Sequence, residues 1–206
     1  MSAALLFAGS PALAATVDVQ ISDSGGRPAA NAVVSLTSRS ATNVESHLPV
    51  EVVIDQRKEM FIPLVSILRK GGRVVFTNND TTMHQVYSFS PIKQFAFEID
   101  QGHRSDPLVF DKPGVASIGC NIHDRMITYV YVAATPWAVI TGINGHAMID
   151  DVPPGNYRVE VWHPQLQPGR AIPNAPLNVD DGHTKFSLAV QLLPPRSQKH
   201  MHMGTY

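Results

Sequence analysis

The chain has 206 residues, 44% of them hydrophobic, and a formal net charge of -1. That length and apolar content allow one large domain or two of ordinary size, each with a real core. Near-neutral charge without any clustered Lys/Arg run excludes nucleic acid as the main partner, since neutralising phosphates requires a basic face.

In chain order, Met1 to Ala15 reads as a secretory signal: Ala3 to Ala8 is a short apolar run and Ala12-Leu13-Ala14 fits a small-residue cleavage site. No Lys or Arg precedes Arg27, so the signal reads as truncated. No apolar run approaches the roughly 20 residues that cross a bilayer, so no membrane span is expected. The expectation is an exported, soluble, periplasmic protein. Period-two alternation then recurs: Val17, Val19, Ile21; Tyr157, Val159, Val161; Phe186, Leu188, Val190, Leu192. These are strands with one wet face. Asp23 to Gly26, Lys70-Gly71-Gly72, Lys112-Pro113-Gly114, Asn144-Gly145, Pro153-Pro154-Gly155 and Asp180-Asp181-Gly182 supply the turns between strands. The fold class is all-β, as sandwiches or barrels. The tail, 193–206, reads as flexible and carries His200-Met201-His202-Met203, a mixed run able to capture copper ions.

The segment Cys120-Asn121-Ile122-His123-Asp124-Arg125-Met126 places the only cysteine, a histidine and a methionine at three-residue steps. A buried lone cysteine is ordinarily a small core residue, but thiolate, imidazole and thioether together suit copper. A mononuclear blue-copper site needs two imidazoles, one thiolate and a weak axial thioether. His84, which opens a strand after the polar loop Asn78 to Met83, supplies the second imidazole. A single cysteine excludes a copper pair bridged by two thiolates. Zinc fits less well, because structural zinc prefers more thiolates and catalytic zinc keeps a water position. The remaining histidines, His47, His103, His146, His163 and His183, show no paired spacing, so a second catalytic centre is not expected; nor does a nucleophile elbow or phosphate loop stand out. The protein is read as a non-enzyme.

Two resemblances organise these elements. Val17 to Leu36 resembles the opening of a carboxypeptidase-regulatory-like, transthyretin-like (immunoglobulin-like) sandwich, and Ala138 to Gly145 with Val152 to Val159 resembles its continuation. The implied arrangement is a split sandwich, 16–47 and 134–192, with residues 48–133 inserted. Three sequential units are the alternative. Residues 48–133 resemble a cupredoxin: Phe76-Thr77-Asn78-Asn79, then His84-Gln85-Val86, Phe110 to Gly114, and the amicyanin-type spacing of Cys120, His123 and Met126. With Ser88-Phe89-Ser90, Pro153-Pro154-Gly155 and Trp162-His163-Pro164, the wider chain resembles exported proteins labelled cupredoxin or methylamine-utilization proteins.

The resemblance implies a Greek-key β-sandwich holding one mononuclear type 1 copper. His84, Cys120 and His123 would be its equatorial ligands, and Met126 its long axial one, with Met83 a second thioether nearby. Asn79 and Gln85 are the expected outer hydrogen-bond partners, although Gln85 stands where small cupredoxins carry asparagine. It further implies single-electron transfer and a redox partner docking near His123. Copper buffering, delivery or sensing is the alternative, to which the His/Met tail lends support, and a docking role for the split sandwich is the third reading.

Overall fold

The computed structural model describes residues 14–38 and 45–194. Most of the signal-like segment and the His200 to Met203 run therefore lie outside the described residues. Every regular element among the described residues is a strand, and no helix there is long and apolar enough to cross a membrane. The strands are β1 (Ala15–Asp23), β2 (Val33–Thr37), β3 (Glu51–Gln56), β4 (Phe61–Ile62), β5 (Val65–Arg69), β6 (Gly72–Asn78), β7 (His84–Ser90) and β8 (Lys93–Ile99). They continue as β9 (Leu108–Phe110), β10 (Gly114–Cys120), β11 (Ile127–Ala133), β12 (Ala138–Ile140), β13 (His146–Val152), β14 (Gly155–Trp162), β15 (Asn174–Val179) and β16 (His183–Val190).

Four sheets result, ordered β13-β1-β16, β12-β2-β14-β15, β5-β11-β10-β7-β8 and β4-β3-β6-β9. The first two enclose one core, in which Val17, Val19 and Ile21 of β1 meet Val34, Leu36, Val159 and Val161. The other two enclose a second, separate core around Ile54, Phe76, Phe110, Ile118 and Val130. Strands drawn from 15–37 and 138–190 thus share one core, and those from 51–133 share the other. Alternation along each strand explains the division. In β1 the odd-numbered residues are buried, while Thr16, Asp18 and Gln20 of the other face stay in or near solvent.

The sandwiches meet through the outer faces of β2, β14 and β11. Trp162 packs against Tyr129 and Tyr131 with ring centroids 5.4 and 6.1 Å apart, and the Ser35 and Tyr131 hydroxyls lie 3.3 Å apart. Burial raises the Tyr131 pKa, as expected of a phenol enclosed in a joint. The sheets therefore stack as four layers, with β13-β1-β16 on one outside and β4-β3-β6-β9 on the other.

His163, whose partners the sequence does not reveal, is a structural residue. It is buried, its Nε2 lies 2.9 Å from the Ala30 carbonyl oxygen, and its Nδ1 accepts the Gln165 N–H at 3.0 Å.

Two outcomes follow from these contacts. Gly145 turns between β12 and β13 at φ 72°, where an added Cβ would be driven into the Ile21 carbonyl oxygen. Gly145→Ala therefore destabilises the fold by at least about 2 kcal/mol in a denaturant titration. Burial pushes the His163 pKa below its ordinary value, against the opposing Ala30 contact. A depressed histidine holds its full stabilising effect above the unfolded value near ~6.5 and loses it as pH falls through the folded value. Melting temperature thus declines below about pH 6.5, and His163→Gln flattens part of that slope.

Candidate metal centre

The centre is assembled by strand parity at one pole of the sandwich built from 51–133. β7 and β10 are antiparallel, with Cys120 opposite Val86 and Gly119 opposite Tyr87. Side chains alternate along a strand, so His84, Val86 and Ser88 point into the core, as do Ala116, Ile118 and Cys120. His84 and Cys120 therefore face the same interior from adjacent strands.

The loops are fixed by named hydrogen bonds. Asn78, buried at the end of β6, donates from Nδ2 to the Thr82 and Ile99 carbonyls at 2.8 and 2.9 Å and accepts the Asp80 N–H at 2.9 Å. This short-range bond to Asp80 is the usual way an asparagine holds a turn. On the other side, Asn121 donates its backbone N–H to the Gln85 carbonyl at 3.0 Å and its Nδ2 to Gln85 Oε1 at 2.6 Å. The loop closes on itself through Met126 N–H to the His123 carbonyl at 3.0 Å and Cys120 N–H to the Met126 carbonyl at 3.3 Å.

Three donor atoms converge as a result. His84 Nδ1 lies 3.5 Å from Cys120 Sγ, His123 Nδ1 lies 3.8 Å from the same sulfur, and the two Nδ1 atoms are 3.2 Å apart. The point in their plane equidistant from all three is about 2.0 Å from each, close to the ~2.0–2.3 Å bonds that imidazole and thiolate make to such metals. His84, Cys120 and His123 also form a cluster able to hold a metal ion. Met126 is buried beside Cys120 in the same core, whereas Met83 is 37% exposed.

Second contacts orient the donors. His84 Nε2 lies 2.9 Å from Asp80 Oδ2. A proton on Nε2 satisfies that carboxylate and leaves the Nδ1 lone pair for the centre. Burial raises the Asp80 pKa, but the Glu59 N–H, the His84 ring and the Lys58 N–H outweigh it and hold the carboxyl below its ordinary range. His123 turns its Nε2 outward, 3.8 Å from Glu59 Oε1, and its side chain is 23% exposed.

Of the outer partners expected from sequence, Gln85 ties the two ligand loops together. Asn79 is turned elsewhere, donating to Asp55 Oδ1 at 2.6 Å, and Asp80 occupies the position beside His84. The signal that could have found it is the Asp80-x3-His84 spacing within one loop, since a short loop returns a side chain to the strand it feeds.

The donor set fits copper. Two imidazoles and one thiolate converge, with His84 and Cys120 buried and His123 reaching the surface, and that mixture of imidazole and soft sulfur suits the metal.

No family model matches this chain, and neither does any curated protein sequence. Solved structures similar to it include a cupredoxin, amicyanins and a copper-containing nitrite reductase. The purple cupredoxin from Nitrosopumilus maritimus is 23% identical over 39% of this chain and 98% of its own, with a TM-score of 0.36. Amicyanin from Paracoccus versutus is 20% identical over 48% of this chain and 97% of its own, at 0.36. The copper-containing nitrite reductase from Thermus scotoductus is 22% identical over 46% of this chain, at 0.39, and the match spans a quarter of that enzyme's length.

Asp80→Ala removes the carboxylate behind His84 and should weaken copper affinity about 10- to 100-fold, read by competition with a chelator, while the far-ultraviolet spectrum stays that of a β protein.

Proposed function

We propose that this protein is a type 1 copper protein that carries single electrons between redox partners in the periplasm, and that it is a carrier rather than an enzyme. The observation that carries the reading is the triangle of His84 Nδ1, His123 Nδ1 and Cys120 Sγ, with edges of 3.2 to 3.8 Å. Copper bound there would supply one-electron chemistry by alternating between Cu(I) and Cu(II).

The chain's own residues would do the rest. The buried His84 and Cys120, fixed on adjacent strands of one sheet, would hold one donor geometry through both oxidation states. Asp80 would keep His84 in the ligating tautomer. Met126, inside the core, would be the long fourth ligand. His123 would be the electron exit, since it alone of the donors reaches the surface. Met60, Ile62, Leu64, Met83 and Ile122, close in sequence to Glu59, His84 and His123, are exposed apolar side chains, which favours a redox partner docking over His123. The burial of His84, Cys120 and Met126 favours a carrier over an enzyme. The signal-like residues 1–15 support export.

Loading with Cu(II) tests the reading. An intense visible thiolate-to-copper band and a reversible one-electron couple are expected. Cys120→Ser abolishes the band, and removing residues 198–206 leaves it. Met126→Leu keeps the colour and raises the potential, because the oxidised ion loses a donor. A colourless, readily exchanged Cu(I) complex would replace electron transfer with copper delivery.

A further inference from the structure

The carboxylate of Asp80 does more to the centre than hold a ring in place, because it brings a full charge with it. Its side chain, in the loop between β6 and β7, is only 11% exposed, and its Oδ2 lies 2.9 Å from Nε2 of the fully buried His84. Behind it stands the turn from β3 to β4. The Glu59 N–H donates to Oδ2 at 2.9 Å, and the Lys58 N–H donates to Oδ1. These backbone donors are neutral, so they stabilise a carboxylate without cancelling its charge. Arg57 of the same turn pairs instead with Asp55 at 3.0 Å.

We infer that Asp80 makes the centre favour Cu(II) over Cu(I), so that the protein is a low-potential carrier. Such a preference rests on the type 1 copper reading and names the oxidation state which that reading leaves open. Enclosed charges decide it. Cys120 as thiolate and Asp80 as carboxylate touch the two nitrogens of one ring, His84, and both are nearly out of water. Their two negative charges are balanced by a doubly charged ion. A singly charged ion leaves one of them uncompensated, in an interior where charge is poorly solvated. Reduction brings in one electron from the donor partner and leaves that charge in the centre. The partner must then be a strong one-electron reductant.

A second effect has the same sign. A carboxylate that accepts the Nε2–H makes the ring a stronger base at Nδ1, and the more highly charged ion gains more from that. Burial works against the Asp80 charge, but the Glu59 N–H, the His84 ring and the Lys58 N–H outweigh it and keep the group ionised at neutral pH. Glu59 adds a weaker contribution from outside. Its Oε1 lies 3.8 Å from His123 Nε2, but its side chain is 70% exposed, so water and salt screen it.

Equilibrium competition separates the two ions. Wild-type protein and Asp80→Asn are titrated against a Cu(II) chelator and, under reductant, against a Cu(I) chelator, at low and high salt. Asparagine still accepts the Nε2–H, and nitrogen-15 spectra of the metal-free variant should show the same His84 tautomer as wild type. Cu(II) affinity should fall at least about tenfold more than Cu(I) affinity, which raises the potential by at least about 59 mV for one electron. Asp80→Ser, a second neutral acceptor, should shift the ratio in the same direction, whereas Asp80→Glu should stay close to wild type. Glu59→Gln should give a smaller shift that fades at high salt, while that of Asp80→Asn persists. Equal weakening of both ions in Asp80→Asn and Asp80→Ser, or a larger loss for Cu(I), leaves Asp80 a positioning residue only and overturns the inference. A blue, reversible wild type with an unchanged ratio in the variants sinks this inference alone. A colourless wild type whose ratio still shifts sinks the carrier reading alone.

Discussion

The antiparallel pairing of β7 with β10 is the constraint on which the centre depends. Cys120 lies opposite Val86, and because side chains alternate, the residue two before Val86 must share its face. A slip of one residue in that register would turn either His84 or Cys120 out to solvent. The hydrophobic core enforces the register, since the same slip would expose Val86 along with His84, or Ala116 and Ile118 along with Cys120. Folding and ligand placement are therefore one event: the free energy that buries these apolar side chains also brings an imidazole and a thiol to 3.5 Å.

Electrostatics completes what packing begins. Two Nδ1 atoms 3.2 Å apart beside a sulfur are an unfavourable group unless a proton or a cation lies among them. Asp80 engages the His84 ring through Nε2, which leaves Nδ1 to face the other two donors. Asp80 is in turn held by the backbone N–H groups of Lys58 and Glu59, in the turn after β3. Both residues have positive φ, a conformation uncommon outside glycine. The β3–β4 turn thus reaches the centre through one carboxylate, and Glu59 of the same turn approaches His123 on the outside.

The sequence made some of this legible and hid the rest for physical reasons. Alternation identified the strands because one face of most of them is wet, and the all-β class followed. The approach of Cys120 and His123 was legible because both sit in one heptapeptide, where spacing along the chain is almost spacing in space. Asp80 was not, because a polar loop offers Asn78, Asn79 and Asp80 in succession and only the turn held by Asn78 decides which one faces His84. The contacts of His146 and His183 with Asp18 were wholly hidden. These residues are far apart along the chain, and only the register of β1 with β13 and β16 brings them together. A contact made across strands leaves no local signature.

The layered arrangement bears on how rigid the ligand loop is. Met126 is followed at once by β11, which lies between β10 and β5. Thr128 donates its hydroxyl to the Pro63 carbonyl at 2.9 Å, and the Tyr129 N–H reaches the Leu64 carbonyl at 2.9 Å, so the start of β11 is anchored on its β5 side as well. Its outer face is covered by Trp162 from the other sandwich. The second sandwich partly covers Tyr131 and braces the strand that leaves the ligand loop. A site that exchanges electrons gains from such bracing, because every atom that need not move between oxidation states lowers the barrier to transfer. On that argument the second sandwich would serve the proposed electron transfer through stiffness, with no residue of its own among the three converging donors.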